Sequence, residues 1–597
     1  MKVKTVMGNI GPLGVSAKGK EIQFVFVSKE RDCGVILYGI EDGRELSRIP
    51  FPADCRVGNV RMMCVSGIET EQFLYTFYEG ENEVSDPCAR QYANLAYGSA
   101  YAGNLRKALY TPQTYDWEGD QNPRIPYEQA FVYCMHVRGF TMDASSQIKQ
   151  GGTFRAVMEK IPFLEELGVT TLEFQPVYEF DEVSETGKLN YWGYTKGYYY
   201  APKSSYAATG NCVTELKDLV KALHQRGMEA VLQFYFPAEM EQWEVLDVLR
   251  FWVKEYHVDG FHIKGYQTPM DLISGDPIFS GIKLWHHAFS QRIREKARTE
   301  GERSLGIYGE EFCHIMRKFL KGDEGMMGAA AEQMRSQPEW AGKLNYLTNY
   351  EGFTLMDLVS YERKHNEANE ENNRDGRDYN YSWNCGTEGS SRKKSVTALR
   401  LKQIKNALML LFCSQGTPLI FMGDEFGNSQ GGNNNPYCQD NEITWLNWEQ
   451  LEKNKEIFDF VRSLARLRRE YPILRSRRQL RMMDYLSCGY PDLSYHGISP
   501  WQPDMTPFSR QIGIMLCGKY AETDKMEETL FYIGINMYWE AYKMSLPRLP
   551  KGQCWEMVVA TDAAVETVAT VEGQDMILPP RSICLMQNRE REEQKKS

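Results

Sequence analysis

Residues 230–266 contain Ala230-Val231-Leu232-Gln233-Phe234-Tyr235-Phe236, then a helical-period segment from Val245 to Tyr256, then Gly260-Phe261-His262-Ile263-Lys264-Gly265-Tyr266. An apolar run of strand length, an amphipathic helix and a second apolar strand make one β–α–β unit. Such units predict a parallel sheet with helices on both faces. The same rhythm extends on either side. Phe154 to Leu167 has apolar residues at helical spacing and ends at Gly168, Thr171 to Phe174 reads as a strand, and Leu216 to Arg226 reads as a helix ended by Gly227. From 125 to 470 this pattern fits an α/β fold of the (β/α)8 type, a TIM barrel with insertions.

The flanks read differently. Residues 1–110 carry short strands and turns, such as Ile22–Val27 and Val35–Tyr38 with the turn signal Glu41-Asp42-Gly43. A β-sandwich is expected there, followed by a Pro-, Asp- and Asn-rich linker at 111–128. Residues 366–394 are polar and predict a long loop above the barrel. Helices follow Trp445, among them Phe458 to Arg468. Strands return over 480–588, including Phe531–Asn536 and Ile577–Arg581, and predict an antiparallel β domain. The charged tail 589–597 is expected to be disordered.

At 597 residues the chain exceeds what one core organises. The formal net charge of −11 and the absence of a basic stripe argue against nucleic acid and anionic membranes as partners. No apolar run has the length of a membrane span, and the N-terminus has no apolar secretory core. The 14 cysteines lack the paired spacing of a disulfide framework or zinc site; Cys134 and Cys413 read as buried thiols. A reducing cytoplasm is the expected setting, with no metal and no cofactor.

Several stretches resemble the isoamylase-type glycogen debranching enzymes of glycoside hydrolase family 13, in the alpha-amylase superfamily. They are Tyr133–Thr141, Leu172–Phe180, Asn190-Tyr191-Trp192-Gly193-Tyr194, Tyr200-Ala201-Pro202, Lys364–Asn369, Ser382–Gly386, Ser414–Pro418, Gly423–Gly427 and Asn433–Glu442. The resemblance covers most of 125–470. It implies a carbohydrate-binding module over 1–110, the catalytic barrel, and a C-terminal β-sandwich. The implied partner is α-glucan, as glycogen or branched maltooligosaccharide.

The resemblance also locates the chemistry, and there the chain departs from it. Retaining glycosidases use two carboxylates roughly 5–5.5 Å apart. The family's nucleophile is an Asp at the position of Lys264, and an ammonium cannot form the glycosyl intermediate. The family Arg two residues earlier is His262. Both face the same side of a strand, so a neutral His removes a like-charge contact. Glu310 matches the acid/base, although an ion pair with Lys264 is the alternative role expected for it. Glu351 stands at the stabiliser position with one extra methylene, and Tyr350 replaces the family His. Gln233, Pro237 and Ala238 replace the family's Asp, Asn and His. Asp259 lies about 16 Å upstream along the strand, at the wrong end of the barrel; Asp271 in the next loop could fold back. Tyr191, Trp192, Tyr194 and Trp383 are candidate stacking residues, with Asn433, Asn434, Asn435 and Asp440 as polar contacts; loop scaffolding is the competing role for all of these.

Three functions follow: a debranching-enzyme homologue that binds α-glucan without hydrolysing it, an active or weak α-1,6-glucosidase, or an interaction protein serving an active debranching homologue.

Overall fold

The computed structural model describes residues 3–590 except 69–70, 94–95, 100–104, 113, 185, 302, 523–527 and 571–572, and without the side chains of 568–570 and 573. Eight parallel strands close a barrel: β1 (Val132–Met135), β2 (Thr171–Phe174), β3 (Glu229–Phe236), β4 (Gly260–Gly265), β5 (Lys283–His286), β6 (Leu305–Tyr308), β7 (Gly342–Asn345) and β8 (Thr417–Phe421). Closure comes from β1 on β8, with Val132 opposite Leu419. Strands β3 and β4 have the longest register, running Val231 opposite Gly260 to Phe236 opposite Gly265. That register places Gln233 beside His262 and Tyr235 beside Lys264.

Before the barrel, two antiparallel sheets pack over a core that includes Phe24, Met63 and Phe77. After it, a five-stranded antiparallel sheet is built around Leu530–Asn536 and Ser582–Glu590, beside a three-stranded sheet of Tyr542–Ser545, Gly573–Leu578 and Glu566–Thr570. The fold is therefore the expected (β/α)8 barrel with flanking β domains.

Local differences have local causes. The helix expected over 154–167 is two helices, Phe154–Glu159 and Ile161–Leu167, broken at Lys160. Pro162 at the second helical position has no N–H to continue the first helix. The helix before β4 begins at Gln242, earlier than Val245, because Glu241 and Glu244 form a reciprocal capping box. The strand expected over 577–581 is Gly573–Leu578, stopped by Pro579-Pro580. Residues 589 and 590 extend the strand Ser582–Glu590; the rest of the charged tail lies outside the described residues. The segment expected as a linker is pinned beneath the barrel. Asp120 lies 2.9 Å from His224 and 3.0 Å from His257, and Asn122 donates to Asp259 at 2.9 Å. Asp259 is thus committed at the N-terminal end of β4, away from the cleft.

Candidate active-site cleft

A cleft of about 830 Å³ opens at the C-terminal ends of β3 and β4. Trp192, Tyr194, Tyr235, Lys264, Gly265, Glu351, Arg377, Asn434, Asn435 and Tyr437 are among its walls. Gly265 is required here: its φ is +125°, and a Cβ would collide with the Phe236 carbonyl oxygen. The chain can therefore turn sharply directly after Lys264.

Lys264 is enclosed by aromatic rings and one carboxylate. Its Nζ lies 2.6 Å from Glu351 Oε1 and donates to the Tyr350 hydroxyl. It also sits 4.5 Å from the Tyr350 ring centroid and 5.0 Å from that of Tyr194, within cation–π range. Tyr194 and Tyr350 stack at 5.3 Å, and Trp192 meets Tyr350 edge-on at 5.5 Å. Glu351 projects into the recess with 41% of its side chain exposed. Its surroundings work to raise its pKa, but Lys264 and then Arg377 outweigh them and hold it below the usual carboxylate range.

Glu310 does not pair with Lys264. It opens the helix Glu310–Lys321 after β6, and its carboxylate lies 3.0 Å from Arg377 NH1. Arg377 NH2 lies 3.8 Å from Glu351. The result is a row of alternating charge, Lys264–Glu351–Arg377–Glu310, crossing the site. No motif or periodicity marks Arg377, which belongs to the long loop and reaches the site only through folding. Asp271 does not fold back; it accepts a hydrogen bond from Ser290 at 3.0 Å.

Beneath the cleft lies a buried carboxylate that sequence reasoning also passed over. Glu173 on β2 accepts from Gln233 Nε2 at 2.8 Å and from the Tyr308 hydroxyl at 3.2 Å, and lies 2.6 Å from His262 Nδ1. Burial lowers the His262 pKa; Glu173 opposes this and Lys264 adds to it, so the net shift favours the neutral ring. The signal was available: Glu173 is a charge inside an otherwise apolar strand.

The other expected contact residues separate into two groups. Trp192, Tyr194, Asn434 and Asn435 line the cleft. Tyr191 is buried and stacks on His136 at 4.0 Å. Trp383 lies under the Arg581 guanidinium at 4.4 Å. Asp440 is held by Arg138 at 2.7 Å and by the Trp445 indole at 2.8 Å. Asn433 is buried and donates to Asn369 at 3.0 Å. None of these four lines the cleft. Asn434 combines both positions: it accepts from Asn366 at 2.9 Å and donates to the Arg377 carbonyl at 2.7 Å while facing the opening. At the outer wall Lys188 pairs with Glu371 at 2.9 Å, and Tyr437 donates to the same carboxylate.

Known proteins resemble this chain in sequence and, separately, in fold. Isoamylase 1 of Arabidopsis thaliana, a chloroplastic protein, is 31% identical over 552 residues, covering 75% of this chain and 68% of its own length. The chain belongs to the isoamylase family. A glycogen operon protein GlgX homolog from Haemophilus influenzae is 31% identical over 539 residues, covering 73% of this chain and 80% of that one. The group B Streptococcus pullulanase SAP, solved with maltotetraose, superposes with a TM-score of 0.72 at 16% identity, covering 97% of this chain and 88% of the other. At that identity the likeness is one of fold. No protein-family model matches the chain. All 14 cysteines are free thiols, and no helix among the described residues is long and apolar enough to cross a membrane.

Proposed function

We propose that this isoamylase-family chain binds α-glucan in the cleft and does not hydrolyse it. The observation that carries the reading is Lys264, held by Glu351 and Tyr350 where the family resemblance puts the nucleophile. A retaining hydrolase forms its intermediate on a carboxylate at that position. The carboxylates at this cleft are already committed: Glu351 to Lys264, Glu310 to Arg377, Glu371 to Lys188. Gln233, Pro237 and Ala238 remove further family contacts on β3 and just beyond it.

Ring faces support the binding half of the reading. Trp192, Tyr194 and Tyr437 line a recess also furnished with Asn434 and Asn435, a mixture of apolar plane and amide that suits pyranose rings. Maltotetraose bound to the structurally similar pullulanase agrees with a linear α-glucan as ligand. We further infer a reducing, cytoplasmic setting and a role beside an active debranching homologue, to which a non-hydrolysing glucan binder would bring substrate. A residual α-1,6-glucosidase is the competing reading, favoured by the half-exposed Glu310.

The test measures two quantities on one preparation: reducing-end release from glycogen and β-limit dextrin, and retardation by glycogen in native gels. The expected result is retardation without release. Release that scales with protein and disappears in Glu310→Gln overturns the proposal.

A further inference from the structure

A second groove, also of about 830 Å³, lies apart from the cleft on the other side of the long loop. It runs along the N-terminal half of the helix Lys394–Phe412 and is closed by residues that follow β8 and by the 447–457 segment. Its chemistry differs from that of the cleft. No large aromatic platform lines it apart from Tyr361; carboxamides, hydroxyls and cations stand there beside the aliphatic side chains of Met356, Leu401, Ile404 and Ile457.

Three observations point to an acceptor-rich ligand. The 19-residue helix begins in this groove with no side chain capping its first turn, so the positive end of its dipole faces the space. Asn428, with 5% of its surface exposed, lines the groove, and its side-chain amide makes no hydrogen bond to another described residue, which leaves it open to the groove. Lys394 and Arg400 both line the groove, and neither has a carboxylate within ion-pair distance among the described residues. Arg400 is buried; its guanidinium donates only to main-chain carbonyls, those of Thr387, Asn384 at 3.1 Å and Ser360 at 3.5 Å. The carbonyls take only one nitrogen of the guanidinium; its buried Nε has no hydrogen-bond partner among the described residues, and no ion pair offsets the charge. Among the lining residues one carboxylate, that of the exposed Glu442, stands against these two cations and the helix end, and Glu388 acts on Arg400 from beyond ion-pair distance.

We propose that this groove binds a phosphorylated sugar. The phosphate sits at the helix start beside Lys394, within the field of Arg400, and sugar hydroxyls exchange hydrogen bonds with Asn428, Gln450 and Ser390. Helix N-termini and lysine ammonium groups are the usual partners of phosphate oxygens. Carboxamides both donate and accept, which matches hydroxyl groups. The groove is a regulatory or anchoring site for an anionic sugar, independent of the neutral glucan in the cleft.

The test titrates glucose 6-phosphate into the full-length protein by calorimetry, with inorganic phosphate and maltotriose as separate probes. Saturable binding of glucose 6-phosphate is expected, tighter than that of inorganic phosphate. It should weaken at least tenfold in Lys394→Gln, an exposed substitution that leaves the core alone, while glycogen retardation stays unchanged in that variant. An Asn428→Ser variant should weaken binding of the sugar phosphate more than that of inorganic phosphate. No saturable binding, an unchanged affinity in Lys394→Gln, or displacement of the sugar phosphate by maltotriose would each overturn the assignment.

Discussion

Replacing Lys264 with Asp, the acid that the family resemblance implies at this position, is the sharpest perturbation this site offers. Lys264 Nζ and Glu351 Oε1 are 2.6 Å apart, with charge centres somewhat further. At an effective dielectric near 20 a pair about 4 Å apart interacts by roughly 4 kcal/mol. Solvent reduces this, because 41% of the Glu351 side chain and 23% of that of Lys264 remain exposed. Exposed pairs contribute about 0–1 kcal/mol and breaking buried ones costs about 3–5, so this pair falls near 1–2 kcal/mol. Lys264→Asp removes that attraction and sets a like charge beside Glu351, for a total loss of about 2–3 kcal/mol. Glu310 does not enlarge it, since Arg377 holds that carboxylate.

Scanning calorimetry at low salt should show the barrel transition falling by roughly 4–6 °C, taking about 2 °C per kcal/mol for a large domain. Lys264→Met should fall by about half as much, and high salt should narrow the gap between the two variants. The acid limb offers an independent check. The Glu351 carboxyl is held below its ordinary value, so its contribution is complete above about pH 4.3 and is lost as pH falls through the lower folded value. Lys264→Met should therefore lose less stability than the parent below pH 4. A Lys264→Asp variant more stable than the parent, or one that hydrolyses glycogen strongly, would refute this account of the site.

Trp192→Ala should weaken retardation by glycogen several-fold and also lower stability by about 3–5 kcal/mol, because this ring is buried against Tyr194, Tyr350 and Tyr437; Trp383→Ala should leave retardation intact and lower stability by about 1–3 kcal/mol, since that ring lies under Arg581. Asn434→Ala removes bonds to Asn366, Arg377 and Asn380; a loss of about 2–4 kcal/mol and faster proteolysis within 366–394 are expected, and an unchanged cleavage rate would contradict the scaffold role. Burial lowers the His136 pKa to about 4, so its neutral form stabilises the fold above the ordinary value near 6.5, and this is progressively lost as pH falls toward 4. Between pH 6.5 and 5 that is about 2 kcal/mol; His136→Gln should show a shallower decline of melting temperature over this range.

The barrel was legible because its strands are short apolar runs alternating with amphipathic helices; Thr171–Phe174 can be read to the residue. Helix ends were less legible. Pro162 and the Glu241–Glu244 capping box moved boundaries, and both act through backbone groups rather than periodicity. In the site, positions on strands could be placed from motifs, so Lys264, His262 and Gln233 are where strand alternation puts them. What failed was pairing between distant segments. Arg377, Lys188 and Glu371 lie on loops, where no period fixes the direction of a side chain, and they decide which carboxylate is neutralised. The Asn-rich run left two roles open for a related reason: Asn433 and Asp440 are spent on holding other loops while Asn434 and Asn435 line the cleft, and composition alone does not separate a polar group facing a ligand from one facing its own chain.

Gln233 and His262 stand where the family resemblance implies Asp and Arg; we expect the two to act together, and this can be tested apart from activity. Glu173 is fully buried, and its polar neighbours at this level are Gln233, His262 and Tyr308. Each supplies a neutral contact: an amide N–H, an imidazole held neutral by burial, and a phenol. Putting the family's Asp at 233 would remove the amide donor and bring a second carboxyl against Glu173. Two carboxyls in one buried site cannot both ionise cheaply, so Gln233→Asp should cost about 2–4 kcal/mol. Putting the family's Arg at 262 would instead add a buried cation facing Lys264, offset in part by Glu173, at a cost of about 1–3 kcal/mol. Together the new Asp and Arg neutralise one another, so the double variant should be more stable than the sum of the singles by at least 1 kcal/mol. Calorimetry on the four proteins of this cycle measures that coupling. Additivity within about 0.5 kcal/mol would show that 233 and 262 drifted independently, and that Glu173 is not the group both residues answer to.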